Sequence, residues 1–212
     1  MDDDLRRRWR DLVVLLGIDD AEADRVGGDL ASRYAEPHRA YHTQAHLRHV
    51  LEVIDFLRGH ERIDDHVAVR LAAWFHDAVY DPRAADNEDA SARLAAKILT
   101  DWQVPPDRVA HVHALVLATA EHVAAGPDAA ALVDADLAIL AADPDTYQVY
   151  ARAVRVEYGH LDEREWQQGR AVVLRRLLAR EPLFATATMR ERGEARARRN
   201  IADELERLER RA

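Results

Sequence analysis

The sequence predicts an all-α protein folded as a single compact helical domain. Apolar residues recur at helical spacing along most of the chain, residues that start and stop helices punctuate it, and the alternation typical of strands is almost absent. The 212 residues, 48% of them hydrophobic and 33% charged, are enough to bury a real core and have a globular composition.

Taken in order, Trp9, Leu12, Val13 and Leu16 share a helical face that Gly17 closes. Gly27-Gly28 interrupts the next stretch and Pro37 ends it. Leu47, Val50, Leu51, Ile54 and Leu57 form one stripe over 43–58, stopped by Gly59. Asp64-Asp65 is placed to cap a helix that runs through His76-Asp77 until Asp81-Pro82 ends it. Asp86-Asn87 caps a helix to about 99, and Pro105-Pro106 opens another through His122. Gly126-Pro127-Asp128 reads as a turn, followed by a short apolar helix over about 133–141. Asp143-Pro144 pairs an N-cap with proline at the first helical position, starting a helix that ends near Gly159. Helices at about 163–180 and 189–210 complete the chain, with Ile201, Leu205 and Leu208 in register in the last.

Composition excludes several functions. A net charge of −9 argues against a surface that coats nucleic acid. The C-terminal arginines are interleaved with Glu191, Glu194, Glu204, Glu206 and Glu209, the pattern of a solvated helix face laced with ion pairs. With no cysteine there is no disulfide framework, thiolate metal site or cysteine nucleophile. No segment reads as a secretory signal or a membrane span, so a soluble, cytoplasmic protein is expected.

Chemistry is suggested first by His76-Asp77, set among Val67, Val69, Leu71, Ala72, Ala73, Trp74, Phe75, Ala78 and Val79 with only Arg70 to break the apolar surface. An acid there is costly unless it is paired, hydrogen-bonded or bound to a cation. Adjacent His and Asp also offer a borderline and a hard ligand, which suits a divalent metal. A core histidine bonded to backbone beside a satisfied Asp77 is the plainer alternative. His42, His46 and His49 fall at i, i+4 and i+7; His46 lies at the edge of the stripe beside Val50 and Ile54, while His49 points away from it. Asp134 and Asp136 interrupt a second apolar run, ALVDADLAIL, either as metal-site acids or as an N-cap and a first-turn acid.

The order His46, His76-Asp77, Asp136 resembles the HD-domain superfamily of metal-dependent phosphohydrolases. HLRHV at 46–50, WFHDAVYD at 74–81 and DADLAIL at 134–140 carry the resemblance. The segments YHTQAH, DNEDAS and ATAEH are similar to those of one branch of small predicted HD phosphohydrolases with no assigned substrate. The resemblance implies an HD-type helical bundle over 1–212, with a metal-site core at about 40–160 and C-terminal helices at 163–210 packed on it. It implies that His46, His76, Asp77 and Asp136, rather than Asp134, hold a divalent ion. Two imidazoles and two carboxylates suit manganese, iron, cobalt, nickel, zinc or magnesium alike. Such an ion acidifies its water and polarises a phosphoryl oxygen.

The implied activity is hydrolysis of a small phosphorylated molecule, a nucleotide or a phosphoanhydride, with no nucleic-acid or membrane partner and with a homodimer allowed. Leu137 stands where many relatives carry Arg, and Tyr80 where some nucleotidase-like relatives carry a catalytic Glu; both departures bear on the substrate. His122 is expected either beside the substrate or a second metal, or simply at a helix end favoured by the dipole. Glu88 reads as a proton carrier or as ordinary first-turn chemistry. Arg155, flanked by Val154 and Val156, is the first choice for phosphate, ahead of Arg48 and Arg170, although an ion pair with Glu157 or Asp162 would also account for it. Two rivals remain at this point. One is a non-catalytic metal- or nucleotide-binding module acting through a partner. The other is an oxygenase with two irons, recruiting His111, His113 and His122.

Overall fold

A computed structural model of the chain describes residues 2–210; Met1, Arg211 and Ala212, included in the expected domain, lie outside the described residues. All the regular structure among these residues is helical. The order is α1 (Asp3–Val13), a 3-10 turn (Val14–Leu16), α2 (Asp20–Arg33), α3 (Gln44–Arg58), α4 (His66–Phe75), α5 (Asn87–Asp101) and α6 (Pro106–Glu121). Then come α7 (Pro127–Leu137), a second 3-10 turn (Ala138–Ala141), α8 (Pro144–Glu157), α9 (Glu163–Leu178) and α10 (Ala187–Glu209). No helix among the described residues is long and apolar enough to cross a membrane.

Local chemistry sets many of the starts. Thr43 accepts from the Ala45 amide, Asp65 from Ala68 and Asp143 from Thr146, while Asp162 and Glu165 form a reciprocal capping box. The apolar α4 is central and packs against α1, α3, α5, α6 and α7. Trp9 of α1 meets Trp74 edge-on at 5.0 Å, and its indole N–H donates to the Ala23 carbonyl at 2.7 Å. One continuous buried cluster runs from Leu5 to Ile201, so the C-terminal helices share the core of the rest. Helix α10 lies so close to the second 3-10 turn that a Cβ at Gly193 would come within 2.8 Å of the Ala141 methyl. Asn200 secures that contact by donating to the carbonyls of Leu140 and Ala142, both at 2.9 Å.

Several boundaries differ from expectation. Gly27 and Gly28 lie inside α2, where the Asp19 cap and burial of Ala23, Val26 and Leu30 offset their poor helix propensity. Helix α4 stops at Phe75, so His76 and Asp77 occupy the turn that follows it. Tyr34 donates its hydroxyl to the Trp74 carbonyl at 3.2 Å, and Arg39 donates to the carbonyls of Asp77 and Ala78 at 2.7 and 3.4 Å. Side chains from forty residues upstream thus take over the carbonyls that a longer helix would have used internally. The expected turn at 126–128 is the start of α7 instead, with proline in its first turn. On α10 the Glu194–Arg198 and Glu206–Arg210 pairs form as expected for a solvated face, but Glu204 is buried.

Candidate metal centre

Three separate segments bring His46, His76, Asp77 and Asp136 together. His46 stands in the first turn of α3, His76 and Asp77 follow α4, and Asp136 closes α7. The Nε2 atoms of His46 and His76 are 3.1 Å apart, and Asp77 Oδ2 lies 3.4 and 3.1 Å from them. Asp136 Oδ1 lies 3.3 Å from His46 Nε2 and 3.7 Å from His76 Nε2. Donors held at about 2.0–2.2 Å from one ion stand about 3–3.5 Å apart, so His46, His76 and Asp77 have the spacing of a coordination sphere, and Asp136 flanks the two imidazoles.

The tautomer of His76 fits the same reading. Its Nδ1 lies 2.8 Å from the Ala73 carbonyl and must carry a proton to donate there. In the neutral ring this leaves the Nε2 lone pair aimed at a carboxylate and at a second imidazole nitrogen, a repulsive arrangement that a cation or an added proton relieves. Without a cation, burial opposes charge on all four groups, yet each is held charged by the others. The carboxylates raise His46 and raise His76 well above its ordinary value, while the imidazoles keep Asp77 and Asp136 well below theirs. His46 Nδ1 is buried without a hydrogen-bond partner among the described residues.

His122 reaches the cluster from the end of α6. It adopts a left-handed backbone (φ 48°), and its Nε2 lies 3.1 Å from Asp136 Oδ2, the oxygen not turned to His46. Arg180 holds this turn by donating to the carbonyls of His122 and Glu121. His122 therefore is a helix terminus and also orients an acid of the cluster. Asp134 faces elsewhere: it accepts from the Ala185 and Thr186 amides at 2.7 Å and from the Thr186 hydroxyl at 2.6 Å, anchoring the start of α10. It is not the N-cap expected of it; Thr186, which it binds, is the N-cap of α10. His49 also stays apart from the cluster.

The cluster opens on a cavity of about 500 Å³. Asp77, Asp136, His122 and Glu88 line it together with Tyr41, Tyr150, Trp166 and apolar side chains of α8 and α9. Arg155, in contrast, is not brought to it. Its guanidinium donates to the carbonyls of Tyr158 and Leu161 at 2.9 and 3.2 Å and lies 5.4 Å from the Trp166 ring centroid, closing the C-terminal end of α8. The positive charge comes instead from Arg170 and Arg176 of α9 and from Arg180 just after it, which also line the cavity. Arg170 is buried, gripped at 2.8 and 3.1 Å by Glu204 of α10.

A further acid, Glu157, sits beneath the site. Its Oε1 accepts the amides of Ala40, Tyr41 and His42 at 2.7, 2.7 and 2.9 Å, and its Oε2 meets His42 Nδ1 at 2.7 Å and the Tyr80 hydroxyl at 2.9 Å. Burial disfavours the carboxylate, but these donors hold its pKa down at about 2. Tyr147, Tyr150, Val154 and Glu157 lie on one helical stripe, so an acid on an apolar face was the available signal, the same one that marks Asp77. The pairing of Glu157 with Arg155 does not form.

No family model, curated protein or solved structure matches this chain.

Proposed function

We propose that this protein is a metal-dependent phosphohydrolase of the HD type acting on a small phosphorylated molecule, a nucleotide or a phosphoanhydride. The observation that carries the reading is the convergence of His46, His76 and Asp77 at coordination spacing, with Asp136 beside both imidazoles, on a cavity that Arg170, Arg176 and Arg180 also line. A divalent ion held by these four residues would supply an acidified water and a Lewis acid for the phosphoryl group.

The chain's own residues supply the rest of the machinery. Tyr34 and Arg39 fix the turn bearing His76 and Asp77, and the Ala73 carbonyl sets the His76 ring. His122 fixes Asp136 through Oδ2. Arg170, Arg176 and Arg180 would attract and orient an anion in a chain that is acidic overall, and phosphoryl transfer asks for little beyond such positioning and charge. Glu88, half-buried at the cavity wall, is placed to accept a proton from the attacking water. A cytoplasmic setting, suggested by the cysteine-free composition, belongs to the same proposal.

The test is phosphate release across mono-, di- and triphosphates and dinucleotides, with each divalent metal supplied in turn. Turnover that depends on metal and is lost in Asp77→Ala is expected. Metal uptake without turnover on any of these compounds would overturn the catalytic reading.

A further inference from the structure

Tyr41 presents a polar atom that the fold leaves unsatisfied. Its ring lines the cavity, 4.8 Å from the His46 ring and 4.6 Å from that of Tyr150. Its hydroxyl is buried and meets no hydrogen-bond partner among the described residues. An orphaned hydroxyl of this kind costs about 1–3 kcal/mol, and few native side chains carry that cost without a ligand or water to answer it. A phenol keeps its proton at neutral pH, so the group is available as a donor.

The placement is held firmly. Glu157 accepts the amide of Tyr41 itself and those of the residues on either side of it, fixing the backbone from which the ring projects. Tyr150 packs against the ring edge-to-face, and its own hydroxyl accepts from Arg170 at 3.3 Å. The hydroxyl of Tyr41 is thus a preset, unanswered donor on a ring that lines the cavity between His46 and Tyr150. Preset donors lose little entropy when an oxygen arrives, which suits recognition of a group rich in acceptors.

We propose that the Tyr41 hydroxyl donates a hydrogen bond to an oxygen of the tetrahedral oxyanion that the cavity receives, and that Glu157 is its positioning residue. This rests on the phosphohydrolase reading, and it gives Tyr41, the first residue of the YHTQAH segment, a binding role that the sequence reading does not assign. The probe is inorganic phosphate, titrated calorimetrically into the full chain loaded with manganese(II), for the wild type and Tyr41→Phe. Melting of both proteins without metal or phosphate and elemental analysis of both accompany it.

Tyr41→Phe is expected to keep its metal content, to melt without metal at or above the wild-type temperature, and to bind phosphate on the order of tenfold more weakly. Equal phosphate affinity in the two proteins would overturn the role of Tyr41 while leaving the phosphohydrolase reading in place. A lower melting temperature for the metal-free variant would show that the hydroxyl has a structural partner and would overturn the premise. A wild type that takes up manganese and no phosphate would overturn both readings together.

Discussion

Replacing Glu157 by Gln tests how the site is built into the fold, and its size can be worked out from the five hydrogen bonds that the carboxylate accepts. Gln keeps the volume and one acceptor oxygen, so the three backbone amides can still be served. Its NH₂ group would face His42 Nδ1 and the Tyr80 hydroxyl, both of which now donate. The carboxylate pKa is lowered from its ordinary value of 4.5 to about 2. At about 1.4 kcal/mol per whole pKa step, the ionised form contributes about 3 kcal/mol to folding. For a domain of this size each kcal/mol moves Tm by roughly 2–4 °C, so Glu157→Gln should melt roughly 6–12 °C lower at pH 7.

The pH dependence follows from the direction of that shift. Because the folded-state pKa is depressed, the contribution is complete above pH ~4.5 and fades as pH falls towards ~2, so wild type and variant should converge over that interval. Denaturant unfolding of both proteins between pH 3 and 7 measures this difference directly. A gap under 1 °C at pH 7, or one that does not narrow below pH 4.5, would refute the assignment of Glu157 as an ionised anchor.

The two acids of the α7 region should separate cleanly. Asp136→Asn is expected to abolish metal uptake with the fold retained. Asp134→Asn is expected to destabilise by about 1–3 kcal/mol, because its NH₂ group would face a donor that Asp134 now accepts from, with metal stoichiometry unchanged. The opposite pattern in elemental analysis would place the last ligand two residues earlier. His122→Asn keeps a residue that tolerates the left-handed backbone but is too short to reach Asp136 Oδ2. Metal affinity should fall by about 10- to 100-fold, as for loss of other groups that orient a ligand. Unchanged affinity on titration would return His122 to the role of a helix terminus.

Which parts of this were legible in the sequence depends on the range of the interactions involved. Helical class, most helix starts and the stripe on α3 are local: Thr43, Asp65, Asp143 and Asp162 cap within three residues, and periodicity exposes a buried face. The same periodicity turns an acid on an apolar face into a candidate site, which marks Asp77. Consecutive alternate positions on a helix lie ~200° apart, and the structure accordingly turns Asp134 and Asp136 to different partners.

What the sequence left open was decided by partners distant along the chain. Helix α4 ends at Phe75, where Tyr34 binds the Trp74 carbonyl and Arg39 the carbonyls of Asp77 and Ala78 in the turn beyond, and no signal beside residue 75 announces it. Arg155 and Arg170 both lie among apolar neighbours, and only packing shows that the first turns to carbonyls at its own helix end while the second meets Glu204 beside the cavity. Glu157 finds its donors 77 to 117 residues upstream. Propensity and capping act over one or two turns of chain, whereas the direction of a charged side chain is set by whichever desolvated partner the assembled core places within reach.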